Sequence, residues 1–147
     1  MRRFRFRLQS ILDLRRHEED QRRIELGAAT TECVRIRREI AARGELRSRV
    51  LGSRPAEVAA DDVVWRRAAE AYAYRLVVEV GRLEKELADA EAERAAAAER
   101  YREAKRKADV LEKLRERREL AHHDEMKREE HNRLDEVSQY IHSKGGV

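Results

Sequence analysis

The sequence predicts an all-α protein: two long helices folded into an antiparallel coiled-coil hairpin, the second longer than the first. Three observations predict it. Charged residues make up 44% of the 147 and aromatics only 5%, against roughly 25% charged in ordinary soluble domains. Helix breakers are scarce, with 6 Gly and a single Pro. Apolar residues recur in alternating steps of three and four, the coiled-coil period, and many of them are Ala. Such a chain closes a narrow seam between helices rather than a thick core.

The first helix is expected over about 6–50. Leu8, Leu12, Leu26, Ala29, Cys33, Ile36, Ile40 and Val50 supply its stripe. The same register puts Arg15, Glu19 and Arg22 on the seam, so that stretch packs loosely or faces something other than a plain apolar partner. Gly27 and Gly44 each weaken this helix by ~1 kcal/mol relative to Ala.

The break comes at Leu51-Gly52-Ser53-Arg54-Pro55. Gly just past a helix end and Pro at a helix start are normal punctuation. The turn is expected over about 51–62. The second helix follows over about 63–141, on Ala69, Ala73, Leu76, Val80, Leu83, Leu87, Ala90, Ala97, Tyr101, Ala104, Ala108 and Leu111, interrupted by Arg94. Near Leu111–Leu114 the phase slips, as in a stutter, and it resumes weakly at Leu134, Val137 and Ile141. Gly145-Gly146 ends the order, so 143–147 is expected as a disordered tail to a single domain over 1–147. At ~1.5 Å per residue the helices reach about 65 and 115 Å. With a tight turn, residues beyond roughly 100 overhang as a lone helix, which is marginal in water and implies a partner; an extended turn shortens the overhang.

Charge sets the function classes. Thirty-four basic and 30 acidic residues leave +4, closely mixed along the chain. That pattern describes a solvated surface laced with ion pairs, not a polyanion-binding block. One cysteine, Cys33, permits no internal disulfide, and its place among Ala29 and Ile36 makes it a small core side chain rather than a nucleophile. No apolar run approaches the roughly 18–20 residues that span a bilayer, and no apolar h-region follows the basic start. The reading is a cytosolic protein. Glu119 and His123 are four apart beside Asp124 and Glu125, but without an HExxH motif or a cysteine pair the zinc reading is weak against a solvated helix face. A two-helix hairpin offers no concavity for a transition state, so neither catalysis nor a cofactor is expected.

Two stretches depart from the pattern. Arg2-Arg3-Phe4-Arg5-Phe6-Arg7-Leu8 carries four arginines and no acid. It suits a membrane surface, a nucleic-acid arm with interleaved aromatics, an acidic protein surface, or simply a frayed helix start. In Ala71–Val80, Ala73, Leu76 and Val80 take the seam while Tyr74, Val77 and Val78 fall on a second face. A helix that is apolar on more than one side is usually covered, and with Trp65 these residues form a candidate partner site, or else local thickening against the other helix or the seat of a short third helix folded back from the turn. The charged run Leu111–Arg118 reads either as a plain charged helix or as an ionic docking surface. The oligomeric state stays open.

Phe4-Arg5-Phe6-Arg7-Leu8-Gln9-Ser10-Ile11-Leu12-Asp13-Leu14-Arg15, then Glu18-Glu19-Asp20-Gln21 and Leu26, resemble the opening of the FliJ family of flagellar export proteins. Tyr101-Arg102-Glu103-Ala104, Lys107, Leu111-Glu112-Lys113-Leu114-Arg115-Glu116-Arg117 and Leu134-Asp135-Glu136 continue the resemblance, while 45–95 carries no matching motif. The resemblance implies a coiled-coil hairpin similar to the central stalk of rotary ATPases. It implies a non-enzymatic part of the type III export apparatus, at the cytoplasmic face of the inner membrane at the flagellar base. The implied partners are the hexameric export ATPase, FliI, whose ring assembly it promotes, the cytoplasmic domain of the export gate, FlhA, and substrate chaperones. Nucleic acid and small molecules are not among them, and membrane contact is only indirect. On this reading the paired chain ends enter the ATPase ring, with Arg3, Phe4, Arg5, Phe6, Arg7, Leu8, Arg15, Leu134 and Asp135 as docking residues. The hairpin tip faces the gate through Trp65, Tyr74, Val77 and Val78. The alternatives are the stalk of a virulence-type secretion system and a basic coiled coil that binds membranes or nucleic acid.

Overall fold

The computed structural model describes residues 3–53 and 60–144, with side chains from Asp62 onward in the second stretch. Two helices make up the fold, α1 (Gln9–Gly52, 44 residues) and α2 (Ala60–Lys144, 85 residues). No strand occurs among the described residues. Of the expected turn over 51–62, Leu51 and Gly52 belong to α1, Asp62 belongs to α2, and 54–59, Pro55 included, lies outside the described residues. Ser143 and Lys144, placed in the expected tail, are the last helical residues, and 145–147 lies outside the description.

Helix α1 begins at Gln9, not at Phe6. The Gln9 amide donates to the Phe6 carbonyl (3.2 Å) and the Leu12 amide to the Leu8 carbonyl (2.9 Å), so Leu8 opens the first turn. The residues before it explain the late start. Arg3, Arg5 and Arg7 are exposed while Phe4, Phe6 and Leu8 are half-buried. That two-residue alternation does not follow the 3.6-residue helical period; residues 3–6 carry no regular structure, and Arg7 and Leu8 form the turn that leads into α1.

Contacts divide the chain, read from sequence as one domain, into two compact units: Met1–Glu19 with Glu103–Val147, and Asp20–Arg102. In the first unit Phe4 meets His122 (ring centroids 5.6 Å apart) and Arg16 pairs with Glu112. In the second, Glu25, Arg37 and Arg43 pair with Arg100, Glu91 and Glu79. In each unit numbers rise along one strand of the pair as they fall along the other, so both are antiparallel.

The seam is thin. Leu12, Ala104 and Ala108 are buried in the first unit; Cys33, Ile36, Ala73, Leu76, Leu83 and Ala97 are buried in the second. Small side chains let the helix backbones approach closely, and the buried thiol of Cys33 acts as one more small apolar filler. Every apolar position expected on α2 from Ala69 to Leu111 is buried or half-buried, and Arg94 is exposed. Arg22, expected on the seam, is exposed as well and turns to Glu25 at 2.9 Å. Glu25 also faces Arg100 at 3.8 Å, and Arg100 holds Glu93 at 2.7 Å. Long cationic side chains carry their heads to water instead of filling the seam. Such exposed pairs are worth ~0.2–1 kcal/mol each, so they set register more than stability.

Candidate partner-binding surfaces

The N-terminal segment and the end of α2 belong to the first unit. The alternating segment brings Phe4 to His122 and leaves Arg3, Arg5 and Arg7 lining a shallow recess with Arg115. Asp13 is the one acidic side chain in that lining. The predicted docking residues Arg3 to Arg7 are therefore assembled in one place. Leu8 serves the seam, half-buried beside buried Leu12, and Arg15 is tied to Glu18 at 2.8 Å.

Leu134 and Asp135 are not brought to that recess. Leu134 lies twelve residues beyond His122, about 18 Å along the helix. From Lys127 to Lys144 every side chain is exposed. Leu134 (61% exposed), Val137 (55%) and Ile141 (65%) keep the spacing of a seam, with nothing described against them. Asp135 lies 3.7 Å from His131, one turn before it on the same helix. The overhang expected from sequence thus exists at the C-terminal end of α2, but it begins near 127 rather than near 100.

Two residues at this end escaped sequence reasoning. His122 reads as a solvated-face histidine, and Arg115 as part of a charged run. Both become visible once Arg16 is aligned with Glu112, because the antiparallel register then carries Phe4 to the level of His122.

The second surface lies wholly in the unit Asp20–Arg102. Tyr74 (70% exposed) and Val78 (56%) stand on the outer side of α2, and Val77 (43%), one turn after buried Ala73, borders them on the flank. Trp65 is not with them. Nine residues separate it from Tyr74, half a revolution at 3.6 residues per turn. Trp65 (40% exposed) and Tyr72 (39%) instead share the flank of the seam, where Tyr72 carries the Arg75 guanidinium 5.7 Å from its ring centre. The four residues expected as one patch are two patches on opposite flanks.

No group of three or more His, Cys, Asp or Glu among the described residues is disposed to hold a metal ion. No described helix is long and apolar enough to cross a membrane. What the geometry offers is surface: a basic recess, a bare helix end and an outer apolar stripe. These features define an antiparallel helical-hairpin protein with exposed basic and apolar surface. The profile of the flagellar FliJ protein family matches residues 4–146, nearly the whole chain. The chain belongs to the FliJ family, non-catalytic components of the flagellar export apparatus. No curated protein and no solved structure matches it.

Proposed function

We propose that this chain links the export ATPase to the export gate. The ATPase ring takes the end that carries the N-terminal segment and the last turns of α2. One observation carries this reading: residues 127–144 continue α2 past its last described neighbour with every side chain exposed and a seam-spaced stripe of Leu134, Val137 and Ile141. A charged helix of that length is marginal alone and gains its order from a partner. The exposed Arg3, Arg5 and Arg7 add a positive rim that speeds encounter with an acidic surface of the ring. Substrate-chaperone handling, and a station at the cytoplasmic face of the inner membrane, follow from the same family reading. The flagellar description of the family favours this over a virulence-type system.

Replacing Arg3, Arg5 and Arg7 together with Glu tests the rim. Association with the purified export ATPase should slow and lose most of its salt dependence, while helicity stays unchanged. An unaltered association rate at low salt would remove the arginines from the contact.

A second contact, with the cytoplasmic domain of the gate, is supported by the outer stripe of Tyr74, Val77 and Val78. Changing Tyr74 and Val78 to Asn should weaken gate binding without loss of helicity. Collapse of the helix would mean that these side chains are structural.

A further inference from the structure

The outer face of α2 in the unit Asp20–Arg102 carries an internal symmetry. Glu70, Tyr74, Val77, Val78, Gly81 and Lys85 fall within an arc of about 100° of the helix that borders, but does not include, the seam residues Ala73, Leu76 and Leu83. The steps between them are four, three, one, three and four, the same in both directions. Chemistry follows the same symmetry. Counting outward from the midpoint between Val77 and Val78, valine answers valine, the large Tyr74 answers the vacant side of Gly81, and the acid Glu70 answers the base Lys85.

We propose that this face docks a second copy of the same chain, antiparallel, about a two-fold axis between Val77 and Val78. Such an isologous contact sets each of these residues against its complement twice. Tyr74 of each copy lies over Gly81 of the other, Val77 meets Val78, and Glu70 meets Lys85. The apolar part, Tyr74 to Gly81, spans about 10 Å of helix, and the two ion pairs that bound it lie about 23 Å apart.

Two observations argue for a second copy, and a third fixes its orientation. Within one chain neither Glu70 nor Lys85 makes an ion pair among the described residues, so both are available. A Cβ added at Gly81 would meet nothing within 4 Å, so the chain's own packing does not require glycine there. Gly27 and Gly44 are equally open, but Gly81 alone faces a tyrosine in the antiparallel register. A parallel arrangement would oppose Glu70 to Glu70 and Lys85 to Lys85, which charge disfavours. The contact covers Tyr74, Val77 and Val78, so a gate using the same residues would have to compete with the second copy.

Sedimentation equilibrium of the full chain, from about 10 μM to about 0.5 mM, tests the proposal. The wild type should show a reversible monomer–dimer equilibrium. E70K and K85E should each weaken the dimer roughly 10-fold, because like charges then meet at two symmetric places. The double variant E70K/K85E should return to within about 3-fold of wild type. G81L should weaken the dimer by at least as much as either single reversal while far-UV helicity rises or holds, since glycine disfavours a helix by ~1 kcal/mol. A wild type that stays monomeric at ~0.5 mM overturns the proposal. So does a double variant no tighter than the weaker single one. A monomeric wild type whose gate binding is lost in Y74N would assign the face to the gate alone.

Discussion

Ending the chain after Met126 removes the exposed end of α2, and its effect can be worked from the geometry. The deletion takes 18 helical residues, 127–144, out of the 44 in α1 and 85 in α2. Far-UV circular dichroism should therefore fall by about one seventh of the helical signal. None of the lost side chains is buried or half-buried, so the lost transfer free energy is close to nil. The small electrostatic contribution of the His131–Asp135 pair is at the exposed-pair level, ~0.2–1 kcal/mol at most. A 1 kcal/mol change moves the midpoint by about 2–4 °C at this chain size, so Tm should shift by less than ~3 °C. The assay is thermal melting of the full and shortened chains followed at 222 nm. A fall of more than ~6 °C would refute the reasoning, because it would require packing of 127–144 against the rest of the molecule.

Other outcomes follow from the seam. Leu76→Ala, at a position only 3% exposed, should destabilise by about 2–5 kcal/mol, whereas Val78→Ala on the outer face should stay within ~1 kcal/mol; chemical denaturation separates the two. Cys33→Ser puts a hydroxyl into the seam in place of a buried thiol and should cost about 1–3 kcal/mol by the same measurement. Phe4→Ala should remove a ring contact worth about 0.5–1.5 kcal/mol and move the His122 ring resonances in NMR. The exposed Glu32–Arg35 pair sets a pH dependence. The hydrogen bond from Arg35 holds the Glu32 carboxyl below the usual carboxylate range. Because the folded value is depressed, its stabilisation is present above the unfolded pKa and is lost as pH falls through the folded one. Glu32→Gln should accordingly flatten the acid limb of a helicity titration, and an unchanged limb would show that the pair contributes nothing.

Much of this was legible because coiled-coil seams are local in sequence. The run from Ala69 to Leu111 needed only counting, since each residue's partner is decided by a three–four rhythm. The N-terminus misled for the same reason. Helical periodicity points back to Phe6, while the exposure of Arg-Phe-Arg-Phe-Arg-Leu follows a period of two, and the first helical turn closes only at Leu8. The half-buried Leu46 also escaped, because a step of three from Arg43 was needed where continuation of the heptad pointed to Arg47. The onset of the overhang depended on register between helices, which no single helix encodes. Trp65 was grouped with Tyr74 by proximity in the chain, although nine residues of helix put them on opposite sides. The outer stripe itself was visible as apolar residues off the seam. Its symmetry about Val77 and Val78 emerged only when Glu70, Gly81 and Lys85 were assigned to the same side.

The proposed docking of the bare end of α2 on the export ATPase can be read by isothermal titration of that ATPase with the full chain and with the chain ending at Met126. The shortened chain should bind at least ~10-fold more weakly, with its melting midpoint preserved. Equal affinities for the two chains would contradict it.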